Sequence, residues 1–374
     1  MQAVGVIPSK KEVGIVEHTS PEIRDDDVVR VRCLEVGICG TDREICTFVY
    51  GEPPEGSEYL ILGHESLGEV LEVGPAVKNI KPGDLVVPSV RRPCEHDHCQ
   101  PCRAGLQDFC ATGGFVERGI KARHGYMTEE YSELERFLYV APNHLRDVAV
   151  LVEPLTIAEK AMAQVWLMQK RLPWVKSQDP TVPKGTGLKA VVLGAGPIGI
   201  LGTMKMVAEG FDTYVYSRSR KPNPKAALVE AVGAKYISAL DHSVDEMAEM
   251  VGNIDLVYEA LGVSSVAYDV LRVLGNNGAF VFTGIPAPKP PIEVDADLIM
   301  RNVVLKNQLI IGTVNAGAAA FNAALTDLDI FIKRWPDTIR NVITGRYAVE
   351  DCQGLLLDKA QGIKNVISFG KSSS

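Results

Sequence analysis

The chain has 374 residues, 46% of them hydrophobic and 23% charged, with a formal net charge of −8 at pH 7. That length supports two ordinary domains with cores of their own, and the acidic balance argues against nucleic acid or an anionic membrane surface as partner. No apolar run approaches the ~20 residues that span a bilayer and the opening MQAVGVIPSKKEVG lacks an apolar signal segment, so a cytoplasmic protein is expected, in a compartment that disfavours disulfides among its eight cysteines.

In chain order, the first ~155 residues read as short β-runs broken by Gly and Pro. DDVVRVRCLEVGIC is one strand, running out into Cys39-Gly40-Thr41-Asp42. EYLILGHESLGEV places His64-Glu65 between glycines at the edge of a second apolar run, and KPGDLVVPSV is a tight turn followed by a strand. CEHDHCQPCRAGLQDFC then crowds Cys94, Cys99, Cys102 and Cys110 into one loop. From VEPLTIAEKAMAQVWLMQKR the spacing turns helical, and the Pro/Gly-rich LPWVKSQDPTVPKGTG fits a surface connection. Strands and helices alternate after it: KAVVLGAG, PIGILGTMKMVAEG, DTYVYSR, KAALVEAVGA, KYIS, IDLVYEALG, SSVAYDVLRVLGNNG, AFVFTGI, LIIGTV. Alternation of this kind predicts an α/β fold with a doubly wound parallel sheet. From Asn315 an amphipathic helix and short strands follow, able to pack back on the first domain, and the terminal KSSS reads as a frayed tail.

VVLGAGPIGILG sets Gly194, Gly196 and Gly199 in G-x-G-x-x-G spacing between a strand and a helix. The first glycine allows the tight turn, the second lets backbone approach a pyrophosphate, and the third lets helix and strand pack closely. The free N–H groups at the helix start, around Pro197 and Ile198, suit phosphate. An NAD site usually carries an acid at the end of the second strand. Here that position reads VYSRSRK, with Ser217, Arg218 and Arg220. A guanidinium pairs with a 2′-phosphate through parallel N–H donors, so NADP is expected over NAD.

Zinc takes Cys, His and carboxylate ligands. Cys39 and His64-Glu65 each mark the end of an apolar run, and Glu153 sits in the apolar VLVEPLTI, where an unpaired carboxylate is costly. One zinc would satisfy all four, with Thr41 close enough to pass a proton. Taken singly, His64-Glu65 reads equally as a polar turn, and Cys39 as a small buried apolar residue. The second cluster has the makings of a closed structural zinc site: Cys99, Cys102 and Cys110, completed by Cys94, His96 or His98.

GHESLGEVLEVG, preceded by Cys39-Gly40-Thr41-Asp42 and followed by the cysteine lobe and GAGPIG, resembles the zinc-dependent medium-chain dehydrogenases over nearly the whole chain. CGTDREI, VVPSVRRP, FVERGIKARHGYM, LVEPLTIAEKA and IIGTVN are similar to the archaeal-type glucose (aldose) dehydrogenases within that family. The resemblance implies a GroES-like β-barrel catalytic domain over residues 1–158 and 311–374 and a Rossmann domain over 159–310. It implies catalytic zinc at Cys39, His64 and Glu65 or Glu153, sugar-hydroxyl contacts from Thr41, Glu117, Glu153 and Asn315, and cofactor contacts from Asn315 and Arg218. The implied reaction is oxidation of an aldose, D-glucose first among them, at C1 to the aldonolactone, in a homo-oligomer (dimer or tetramer). A polyol or amino-alcohol dehydrogenase is the alternative on the same scaffold, and a non-enzymatic NADP-binding structural protein is a more distant one.

Overall fold

A computed structural model describes residues 1–23, 25–173, 179, 181–287, 289–358 and 361–369. The middle of the Pro/Gly connection (174–178 and 180) and the KSSS tail lie outside the described residues. The chain divides into two compact units. One comprises Met1–Thr156, Asn315–Lys333 and Ile343–Ser374, the other Ile157–Val314 and Arg334–Val342.

The first of these units is β-rich. Its main sheet runs in the order Leu138–Ala141, Leu85–Pro88, Glu65–Val73, Val28–Gly37, Lys364–Ser368, Ile343–Ala348, and Glu130–Leu134 also pairs with the long Val28–Gly37 strand. All neighbours are antiparallel except the last two strands, which run parallel. A hairpin of Gln2–Ile7 and Glu12–Glu17 is extended by Leu60–Ile61 into a smaller sheet. The hairpin is not apparent in the sequence because Pro8 to Lys11 carries few of the turn residues that announce one. Apolar side chains from both sheets, among them Val4, Val31, Val36, Leu62, Tyr126 and Ile367, form one buried core.

Register at Gly37 positions Glu65. Gly37 lies opposite Glu65 on one side and Val366 on the other. A Cβ at Gly37 would collide with Glu65 Oε2. The missing side chain therefore leaves the space into which Glu65 reaches.

The second unit is the expected doubly wound sheet. Six parallel strands stand in the order Lys235–Ser238, Asp212–Ser217, Lys189–Leu193, Leu256–Glu259, Ala279–Phe282, Leu309–Gly312. In strand numbering that is 3-2-1-4-5-6, the Rossmann order. The central strands are short apolar runs because helices cover both faces, and Val191, Leu193, Val257 and Phe280 are buried in the core of this unit. Two helices add to the expected alternation. Val244–Val251 starts at a Ser243/Glu246 capping box, and Ala296–Leu305 is capped by Asp295. The first carries the S-x-x-E signature in plain sequence.

Candidate active site

Cys39 follows the Val28–Gly37 strand and caps the short Gly40–Ile45 helix. Asp42, fully buried, accepts the Cys39 N–H at 2.8 Å and the Gly63 N–H at 3.2 Å. One carboxylate thus ties the cysteine loop to the residue before His64. Its Oδ1 also lies 3.5 Å from His64 Nδ1. Burial opposes protonation of His64, but the Asp42 charge outweighs it and holds the imidazole pKa well above its ordinary value. Asp42 is an orienting residue that the sequence displayed inside the CGTD run without revealing its role.

Glu65 opens its strand and is almost completely buried. It is not an unpaired carboxylate: Lys364 Nζ donates to both its oxygens, at 2.8 and 2.5 Å, and to the Ile38 carbonyl at 3.1 Å. Lys364 is itself buried, and although burial lowers its pKa, Glu65 and Cys39 raise it further. The ligand atoms of Cys39, His64 and Glu65 lie within 4.8 Å of one another. Glu153, near the start of the Val152–Gln169 helix, is buried but outside that group. Burial pushes its carboxyl up to about 7, against the pull of His64 and with the push of Glu65. Thr41 sits in the Gly40–Ile45 helix with its hydroxyl 3.9 Å from Cys39 Sγ.

Glu117 lies in the Val116–Arg118 strand. Its Oε1 accepts from Arg91 at 3.0 Å and from Asn315 Nδ2 at 3.1 Å. The Arg91 guanidinium stacks 3.6 Å above the Phe115 ring and donates to the Asp108 carbonyl. Asn315, with a left-handed φ of 58°, spends its own oxygen on the Ala316 N–H. The structure therefore joins Glu117 directly to Asn315 and adds an arginine, Arg91, whose role nothing in the sequence announces. Both of these donors meet at Oε1.

The four lobe thiols converge, with their sulfurs within 4.8 Å of one another. Cys99 and Cys110 are 3.9 Å apart. Tetrahedral zinc with Zn–S bonds of ~2.3 Å requires ~3.8 Å between sulfurs. The lobe thus suits zinc, with Cys94 as the fourth member. His96 and His98 are exposed and outside the group. Burial works against the Cys110 thiolate, yet the Thr112 hydroxyl and N–H bring that thiol down to about 6. Burial pushes Cys102 up to about 12.

In the parallel-sheet unit the glycines shape the turn between the first strand and its helix. Gly194 has a φ of +97°, and a Cβ on Gly199 would collide with the Gly194 carbonyl. Pro197 and Ile198 open the following helix, with Gly196 as its N-cap. Ser217 ends the second strand, with Arg218 and Arg220 exposed beyond it. Arg220 is paired with Asp241 at 2.7 Å. Arg218 has no such partner among the described residues.

The family model for the glucose dehydrogenase C-terminus matches residues 146–369, and that for the alcohol dehydrogenase GroES-like domain matches residues 25–142. A glucose 1-dehydrogenase of Methanocella arvoryzae is 34% identical over 99% of this chain and 100% of its own. One from Metallosphaera sedula is 36% identical over 99% of each. Among solved structures, Haloferax mediterranei glucose dehydrogenase in complex with NADP, Zn and gluconolactone superposes with a TM-score of 0.85, at 30% identity, covering 99% of this chain and 100% of that one.

Proposed function

The chain belongs to the glucose dehydrogenase family of zinc-dependent medium-chain dehydrogenases, and from that premise we propose that it oxidises D-glucose at C1 to the lactone with NADP as hydride acceptor. The observation that carries this reading is the convergence of Cys39, His64 and Glu65 within 4.8 Å in a chain similar throughout to a zinc- and NADP-bound glucose dehydrogenase. Catalytic zinc is held by Cys39 and His64, with Glu65 or Glu153 as the carboxylate. Structural zinc is held by Cys94, Cys99, Cys102 and Cys110. When bound, the catalytic ion supplies a Lewis acid for the C1 hydroxyl and the nicotinamide supplies the hydride acceptor.

The chain's own residues do the remaining work. Asp42 fixes the Cys39 loop and the His64 ring. Thr41 holds the C1 hydroxyl proton on its way to solvent. Arg91 and Asn315 keep Glu117 aimed, so that its carboxylate accepts sugar hydroxyls, and a site built this way rejects analogues that lack them. Gly194, Gly196, Pro197, Ile198 and Gly199 cradle the pyrophosphate, with Ser217, Arg218 and Arg220 at the adenosine end and Asn315 as a further cofactor contact. The assigned domains are the GroES-like catalytic domain over 1–158 and 311–374 and the Rossmann domain over 159–310.

A second copy of this chain is the proposed partner. The Leu309–Gly312 edge strand leaves one side of the sheet unpaired. The Ala296–Leu305 helix buries no residue, and Met300, Val304 and Leu305 are each more than 60% exposed. A dimer or tetramer would cover them. The cytoplasm suits a chain whose eight cysteines are all free, and no helix among the described residues is long and apolar enough to cross a membrane.

The test is initial rates over a panel of aldoses, sorbitol and threonine with NAD and NADP in parallel, alongside His64→Ala. Glucose turnover with NADP, lost in His64→Ala while NADP binding persists, is the expected result. Sorbitol or threonine turnover without glucose turnover would move the chain to a polyol or amino-alcohol dehydrogenase.

A further inference from the structure

A cavity of about 420 Å³ opens in the β-rich unit, beside the N-terminal hairpin, and no part of the proposed reaction uses it. Its lining includes His18, Thr19, Arg118, Arg123, His124 and Glu133. Most of the charge around it is matched. Glu133 accepts from Arg92 at 2.5 Å and from Arg118 at 2.9 Å. Arg118 spends its remaining donors on the His124 and Ser132 carbonyls. Glu130, at the rim, is paired with Arg30 at 3.1 Å.

Arg123 is the exception. Its side chain is half-buried and makes no hydrogen bond or ion pair with any described residue. Burial, then the neighbouring Arg118, press its pKa down against the pull of Glu133, an unusual direction for a guanidinium. Its opposing charge, Glu133, is already hydrogen-bonded by Arg92 and Arg118, which leaves the Arg123 guanidinium donors unused, and a guanidinium fork matches oxyanions.

A second donor faces the same space. His124 Nδ1 accepts the Ile61 N–H at 3.2 Å. Burial holds the pKa of this ring at about 4. The neutral ring has one proton, and with Nδ1 accepting, that proton is on Nε2. The ring is kept in place by stacking on Tyr59 at 5.1 Å and by His18 edge-on at 5.0 Å. Thr19 lines the cavity beside them. The carboxylates of Glu22 and Asp25 also line it; these would repel a bare anion, whereas a carboxylate such as Asp25 can accept a hydrogen bond from a hydroxyl.

We propose that this cavity binds a phosphate group, with Arg123 and His124 as its donors, and that the ligand carrying it is a small phosphorylated polyol rather than a second sugar substrate. The volume fits a small molecule rather than a lone ion. A lining that holds both donors and carboxylates matches a molecule that carries both a phosphate and hydroxyls.

The experiment uses the full chain loaded with zinc and saturated with NADP, so that the cofactor's phosphate-binding residues are already filled. Glycerol 3-phosphate and inorganic phosphate are titrated by calorimetry and by thermal denaturation, at ionic strength matched with sodium chloride. In the parent, glycerol 3-phosphate should bind and raise the midpoint, and inorganic phosphate should do so at least tenfold more weakly. Arg123→Gln should lose tenfold or more in affinity for both, and Arg123→Lys should fall between. Without phosphate, Arg123→Gln should be as stable as the parent or more so, because it removes a half-buried charge whose guanidinium makes no hydrogen bond to a described residue. Equal binding of the two ligands would make free phosphate the natural occupant and overturn the polyol assignment. No response in the parent, or the same affinity in parent and Arg123→Gln, would overturn the site altogether. A less stable Arg123→Gln that binds phosphate normally would make Arg123 a packing residue and overturn it too.

Discussion

Arg218 and Arg220 look interchangeable in VYSRSRK, and the fold separates them. Arg220 is engaged with Asp241, while Arg218 keeps its guanidinium free at the end of the second strand, where an NAD enzyme places an acid. Charge-assisted bonds to a 2′-phosphate contribute roughly 1.5–3 kcal/mol each. Arg218→Ala should therefore weaken NADP binding by about ten- to a hundredfold at ~1.4 kcal/mol per decade, with NAD much less affected. Because Arg220 is already paired, Arg218→Ala/Arg220→Ala should add little to the loss. Dissociation constants for both cofactors in the parent, single and double variants check this. Equal losses for NAD and NADP would mean that Arg218 only shapes the loop.

The strands and the lobe set the next scale. Lys364–Ser368 is inserted between Val28–Gly37 and Ile343–Ala348, and it carries the lysine that neutralises Glu65 across the gap left by Gly37. Removing one partner of a buried pair costs about 3–5 kcal/mol, because the other charge is left uncompensated. Lys364→Met should lower stability to urea by that order. Lys364→Met/Glu65→Gln should recover much of it, and a double variant no better than the single would show that the pair is not what Lys364 contributes. The lobe behaves differently. A closed thiolate site contributes folding energy and leaves no open coordination position. Cys102→Ser should reduce the thermal midpoint and the zinc content to about half, while the surviving protein turns over glucose at close to the parent rate. His96→Ala should leave the lobe's zinc in place, since Cys94 already completes the four sulfurs.

For the molecule as a whole, stability against pH reports on Glu153. Burial lifts its carboxyl from an ordinary 4.5 to about 7. The folded chain then holds this proton more tightly than the unfolded chain does, so the contribution is complete below the ordinary value and lost as pH rises toward 7. In zinc-free protein, Glu153→Gln should gain stability relative to the parent across that window and match it below. A constant difference from pH 4 to 8 would show that the carboxyl does not titrate there. What the sequence made legible was local: the strand-helix alternation, the glycine turn, the cysteine lobe, and Cys39 and His64 at the ends of apolar runs. What it concealed was long-range. Lys364 meets Glu65 across 299 positions, and Arg91 reaches Glu117 across 26. No periodicity signals such pairings, since only sheet register brings them together. The GHE motif displayed the glutamate, but its counter-charge belongs to a strand that looks, in sequence, like any other short apolar run.

The placement of that strand also orders the molecule's assembly during synthesis. Domains generally fold as units, the earlier segments first, while the chain is still being made. The parallel-sheet unit is nearly all contained in Ile157–Val314, so it can close while the tail of the chain is still to come. The β-rich unit cannot. Its sheet lacks an inner strand, and Glu65 its cation, until Lys364–Ser368 has been made. A nascent chain able to grip nucleotide before its catalytic pocket exists is the expected intermediate, and metal insertion at the proposed Cys39 and His64 site becomes a step that follows synthesis of Lys364–Ser368.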